Sequence, residues 1–258
     1  MDKTKKLKNI LIGSGGILSF ILLWEIIARI VVNDKFLLPS FSEVILSFMK
    51  IDQYLLPDLG GSLYHFILGL GFAVIIGCSL GAITGWFRGL DSFFRPLIEL
   101  LRPIPPLAWI PFAIAWFKLT DFSSAFIIFI GSLFPILINA YYGFRDTPII
   151  YKEAAIVLGQ KKKLGLLTKI GFPSALPSML YGIKVAIGIG WMCMVAAEIF
   201  GRSEGLGFRL WNFYQLHQMD YVVAYMLILG VIGILMDYAF RYFLIDKLVR
   251  WKKELAIK

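Results

Sequence analysis

Few side chains in this sequence are of the kinds that do chemistry, and their placement narrows what they can do. No glycine loop is followed by Gly-Lys-Ser/Thr, so the chain is expected not to bind and hydrolyse ATP itself. His65 and His217 stand far apart with no ligand cluster, so no metal site is expected. No nucleophile lies beside a base, which argues against an enzyme. What remains is a polar, lysine-studded stretch, Tyr151–Pro177, and a handful of polar residues inside apolar segments. Charges are expensive in such segments and are functional candidates by default. Glu25 with Arg29, and Asp237 with Arg241, stand four apart and read as paired structural charges. Glu198 has no such neighbour; a local ion pair with Arg202 or Arg209 is the preferred reading, a gate the other. Asn139 is a candidate pathway residue or a hydrogen-bonding partner of a neighbouring helix. Trp109 and Trp191 offer aromatic rings to a pathway in which no span carries a cation near its middle.

The elements that must position these residues are membrane helices. Of the 258 residues 59% are hydrophobic and 17% charged, and mean hydropathy is +0.76, which places the chain among integral membrane proteins. Crossing a hydrocarbon core takes roughly 20 apolar residues. Six spans are predicted, at roughly Ile10–Val32, Leu63–Trp86, Pro103–Phe117, Phe122–Phe144, Leu176–Phe200 and Tyr221–Leu244, giving one all-α polytopic domain over residues 1–258. The first is too long for a signal-peptide core and lacks a cleavage pattern. Cys78 and Cys193 fall inside spans and read as packing residues. With both termini cytoplasmic, the inner side holds 20 of the 26 basic residues and the outer side Arg29, Lys35, Lys50, Lys118, Arg202 and Arg209. This asymmetry accounts for the net charge of +9 without any nucleic-acid partner.

The stretch from about 145 to 175 then lies in the cytoplasm. Thr147 can cap a helix, Pro148 suits its first position and Glu153 an early turn. Gly159 can end it in the left-handed conformation, and a second helical run follows until Pro173 and Pro177 break it. The alternative is a basic amphipathic helix on the lipid headgroups. Elsewhere, Gly69, Ala73, Gly77, Gly81 and Gly85 recur every four residues, and Gly182, Ala186 and Gly190 repeat the spacing, marking stripes where helices approach closely. Pro103, Pro105, Pro106 and Pro111 crowd the third span and must bend it, as a pathway element or a re-entry bend.

Glu153-Ala154-Ala155, with Gly159, Ile170 and Pro173 following, resembles the EAA…G………I..P signature of ABC importer permeases. Segments from Leu37 to Tyr221, notably "FPSALPSMLYGIKVAIGIGWMCMVAAEIFGRSEGLG", resemble the nitrate/sulfonate/taurine branch. The resemblance implies that this loop forms coupling helices that dock into an ATPase. It further implies a homodimer of this chain in the cell membrane, two ABC ATPase subunits that carry ATP and Mg, and an extracytoplasmic substrate-binding protein. It also implies a substrate such as nitrate, taurine or an aliphatic sulfonate, with a vitamin precursor such as a thiamine pyrimidine precursor as an alternative. A channel or scaffold that uses the loop only for membrane attachment is the alternative of another class.

Overall fold

A backbone inside a bilayer has no water to bond, so a chain this apolar must satisfy its own amides, and helices do so within one segment. The structure, a computed structural model, describes residues 3–160, 162–201 and 204–245, and among these every regular element is helical. Arg202 and the basic residues Lys161, Lys247, Arg250, Lys252, Lys253 and Lys258 lie outside the described residues. Helix α1 (Lys3–Ile26) runs on through a π-helical turn to Val32. Then follow α2 (Phe41–Phe48), α3 (Asp52–Trp86), α4 (Arg88–Leu101), α5 (Ile110–Phe117) and α6 (Asp121–Arg145). Next come α7 (Ile149–Val157), α8 (Lys163–Leu166), α9 (Phe172–Gly201), α10 (Leu206–Gln215) and α11 (Met219–Phe240).

Five segments, 12–32, 54–86, 121–145, 163–200 and 219–243, are long and apolar enough to cross a membrane. The expected third span, Pro103–Phe117, differs: α4 and the 106–117 segment are bent by 89° at the break between them, so a sixth crossing would be a broken one. Pro103, Pro105 and Pro106 account for the break, because each lacks the N–H that would continue the helix. Pro173 and Pro177, by contrast, do not break their helix. Pro173 is the second residue of α9, directly after the π-helical turn Leu167–Gly171, where its missing N–H costs little, and Pro177 follows within the next turn.

The chain forms two compact units. One gathers the residues up to Asp58 with Arg209–Gly230. In it Glu25 pairs with Arg29 at 2.6 Å as the spacing predicts, and its carboxylate also accepts from the Ser42 backbone and hydroxyl at 3.1 and 2.9 Å. Buried Asp58 takes a forked contact from Arg209 at 2.9 and 3.3 Å and a bond from the Tyr225 hydroxyl at 3.1 Å. Arg209 therefore belongs to Asp58.

The other unit gathers Leu59–Phe208 with residues 231–245, as far as the described residues go, and the small-residue stripes build it. A Cβ at Gly81 would stand 2.5 Å from the Ala140 Cβ and 2.6 Å from the Leu137 carbonyl oxygen. Gly69, Gly77 and Gly85 meet α6 in the same way, so α3 and α6 touch backbone to backbone along the whole stripe. Helix α9 packs on α6 by the same device: Gly182 faces Asn139 and Pro135, Gly190 faces Ser132, and Gly131 of α6 faces Cys193. Cys78 and Cys193 are free thiols in this packing. Near the end of α11, Asp237 meets Lys184 of α9 at 3.4 Å, a partner from another helix that the Asp237–Arg241 spacing had not suggested.

Candidate functional site

The polar stretch folds as two short helices around Gly159. Helix α7 ends with the Gly159 N–H on the Ile156 carbonyl at 3.0 Å and the Gln160 N–H on the Ala155 carbonyl at 2.9 Å. This Schellman pair needs a left-handed residue at its pivot, and Gly159 supplies it with φ +90°. Thr147, expected as the cap, instead bonds back to the Gly143 carbonyl of α6 at 3.4 Å; Pro148 stands at the cap position.

Each face of this knob has its own surroundings. Ala155 is buried, while Glu153, Ala154 and Pro173 are exposed and Ile170 is half-buried. Val157 and Leu158 are 86% and 87% exposed, and Ile149, Ile150 and Leu164 are exposed beside them in sequence. On the inner side the Lys152 ammonium sits 4.4 Å above the centre of the Trp86 ring. A Cβ at Gly171 would lie 2.7 Å from the same ring, and Phe144 meets it edge-on at 6.4 Å. Both halves of the knob thus rest on Trp86, the last residue of α3. Sequence reasoning did not single out Trp86; its one signal was its place directly after the glycine stripe.

At the other end of α3, α6 and α9 lies a buried polar cluster. Glu198 and His65 are 0% and 1% exposed. Glu198 accepts from the Ser62 hydroxyl and the Gly207 N–H, both at 2.9 Å on one oxygen, and faces His65 Nδ1 at 3.0 Å with the other. His65 Nε2 faces Asp121 Oδ1 at 2.7 Å. The Leu206 N–H closes the cluster on the Ser62 oxygen at 2.9 Å. Of the two partners expected for Glu198, Arg209 is taken by Asp58 and Arg202 lies outside the described residues; Glu198 is held by residues 136 and 133 positions away in the chain. His65, read as a solitary histidine, is the centre of the cluster. Among the described residues no group of three His, Cys, Asp or Glu could hold a metal ion.

The other pathway candidates stay apart. Trp109 packs against the cluster of Ala113, Ile127, Cys193 and Ala197. Trp191 is buried, edge-on to Phe66 at 5.5 Å. Asn139 donates to the Pro135 carbonyl of its own helix at 2.8 Å, rather than to a neighbouring helix as expected.

Comparison with known proteins gives this architecture its context. Residues 69–246 match the family model described as binding-protein-dependent transport system inner membrane component. A putative ABC transporter permease protein of Methanocaldococcus jannaschii is 41% identical over 240 residues, covering 90% of this chain and 89% of that protein. A bicarbonate transport system permease protein of Synechococcus elongatus is 34% identical, covering 90% and 87%. A putative aliphatic sulfonates transport permease protein of Bacillus subtilis is 31% identical, covering 90% and 84%.

Proposed function

The chain belongs to the family of binding-protein-dependent transport system inner membrane components, and from that premise we propose how this permease works. Two copies form the translocation pathway, and the whole chain acts as a single permease domain with both termini in the cytoplasm. Two ABC ATPase subunits, which carry the ATP and Mg, dock on the knob centred on Gly159. An extracytoplasmic binding protein delivers the substrate, a small oxoanion of the class that includes nitrate, taurine, aliphatic sulfonates and bicarbonate. Relatives named for bicarbonate and for sulfonates support that class.

The observation that carries the reading is the knob itself. Its outer face presents exposed Val157 and Leu158, a patch suited to a protein cleft, while Lys152 and Gly171 seat its inner face on Trp86. A push on the knob therefore acts directly on the end of α3, and α3 is packed along its glycine stripe against α6. Glu153, Ala154, Ala155, Gly159, Ile170 and Pro173 are the coupling residues in this reading. Trp109, Asn139, Trp191 and Glu198 are assigned to the pathway or its gate. Neither a vitamin-precursor importer nor a channel or scaffold is suggested by the relatives named above.

The test is reconstitution of the chain in liposomes with an ABC ATPase and a substrate-binding protein from the same organism. ATP-dependent uptake of labelled bicarbonate, nitrate, taurine or an alkyl sulfonate is expected. Passive flux that ignores ATP, or no flux of any of them from an assembled complex, contradicts the reading.

A further inference from the structure

Of the buried cluster at the far end of the bundle only Glu198 enters the mechanism above, as a pathway or gate residue, yet the cluster as a whole has the features of a built device. His65 lies 21 residues before Trp86 on the same helix, about 30 Å away at the helical rise. Its ring joins the start of α6, through Asp121, to the end of α9, through Glu198. Ser62 and the backbone of Leu206 and Gly207 bind the following segment into the same cluster. Gly205, at φ +117°, lets that segment approach, since a Cβ there would stand 2.5 Å from the Glu198 carboxyl carbon.

The geometry fixes the proton count. Each ring nitrogen faces a carboxylate oxygen at 3.0 or 2.7 Å, and each contact needs one proton between the atoms. The other Glu198 oxygen already accepts two donors. Asp121 is the first residue of α6, where the helix dipole favours a carboxylate. Two protons shared by the three groups leave a net charge of −1, whether the ring or one carboxyl holds the second of them.

We propose that His65, Glu198 and Asp121 form a proton-bearing clamp, with the second proton on the ring and His65 as a positioning residue. The clamp holds α3, α6 and α9 in register, so that movement imposed at the knob reaches the opposite end of the bundle. A buried ionic network is a costly way to gain stability, and its better-attested use is to fix register between helices. Here it stands at the one end of the glycine-seamed bundle that the knob does not brace. The inference rests on the transport reading for its functional half and on geometry alone for its proton.

Both halves can be measured on the assembled complex. The chain has two histidines, so ¹⁵N-histidine NMR gives two ring spectra, and His65→Gln identifies which is which. With the second proton of the clamp on the ring, as proposed, both nitrogens of His65 carry protons. In Glu198→Gln, whose amide can accept from Ser62 and Gly207 and donate to Nδ1, one nitrogen loses its proton. A single neutral tautomer in the native chain overturns the proton assignment.

For transport, Glu198→Ala is expected to lower uptake per ATP hydrolysed roughly tenfold with ATPase activity kept within about twofold, a size typical of residues that carry coupling. Glu198→Gln, which keeps the contacts, restores it. Native uptake per ATP in Glu198→Ala, a parallel loss of both activities, or no rescue by Glu198→Gln overturns the positioning role. Asp121→Ala, at the more exposed end of the clamp, carries the test if Glu198→Ala does not assemble. A native complex that shows no uptake at all contradicts the transport reading instead, while the NMR result still decides the proton.

Discussion

Gly81 and Gly71 lie on the same helix, α3, and the same substitution should move stability in opposite directions at the two sites. At Gly81 a new Cβ falls 2.5 Å from the Ala140 Cβ and 2.6 Å from the Leu137 carbonyl oxygen, where carbon atoms prefer about 3.5–4.0 Å. Neither neighbour can rotate away, because one is a Cβ fixed to the backbone and the other is backbone. Helices α3 and α6 must therefore part by about 1 Å, and overpacking of that kind costs typically 1–3 kcal/mol. At Gly71 nothing lies within 4 Å of the new atom, and replacing a helical glycine by alanine gains up to about 1 kcal/mol. Gly81→Ala should thus be roughly 1–4 kcal/mol less stable than Gly71→Ala. Equilibrium unfolding in mixed detergent micelles, followed by tryptophan fluorescence, reads the difference. Equal stability, or a more stable Gly81→Ala, would refute a backbone-to-backbone seam between α3 and α6.

Three further outcomes follow from single sites. No atom lies within 4 Å of a Cβ at Gly159, so substitutions there act through backbone strain alone; ATPase affinity should fall from Gly to Asn to Ala, with Ala weaker by roughly 5- to 30-fold for a left-handed penalty of about 1–2 kcal/mol. Titration of the purified ATPase against the chain in nanodiscs gives the order, and an unchanged affinity for Gly159→Ala contradicts it. Asp58→Ala strands Arg209 and should cost about 3 kcal/mol or more, while Asp58→Ala with Arg209→Met recovers part of the loss; thermal unfolding of the three variants checks this. The Lys35 ammonium beside Glu43 holds that carboxyl below the usual range, helped by the Ser40 N–H. Its contribution is then present above the ordinary carboxylate pKa and lost as pH falls through the lowered one, so Glu43→Gln should be less stable than native at neutral pH and equal to it in strong acid.

Much of this architecture was legible in the sequence for physical reasons. Two helices can touch backbone to backbone only through small residues, so the recurrence of Gly69, Ala73, Gly77, Gly81 and Gly85 every four positions reported the α3–α6 seam directly. Gly159 was legible because the turn that reverses α7 needs a positive φ. The polar clusters were not. Asp58 and Arg209 are 151 residues apart and His65 and Glu198 are 133 apart, and nothing local in the chain records such pairings. Local spacing even misdirected, since Asp237 and Arg241 stand at a favourable separation while Asp237 in fact meets Lys184 on another helix. Pro173 and Pro177 misdirected in the same way, because the helix runs on through the π-helical turn Leu167–Gly171 into α9 and contains both of them.

The measurement that bears most directly on the transport account is affinity isolation of the native chain from its own membranes in mild detergent. It is run beside a Val157→Asp, Leu158→Asp variant, with bound partners identified by mass spectrometry. The two residues are 86% and 87% exposed, so the variant should insert and fold as the native chain does. An ABC ATPase that accompanies the native chain and is absent from the variant is the expected result. No ATPase on the native chain, or equal recovery with both, would contradict a permease driven through this knob.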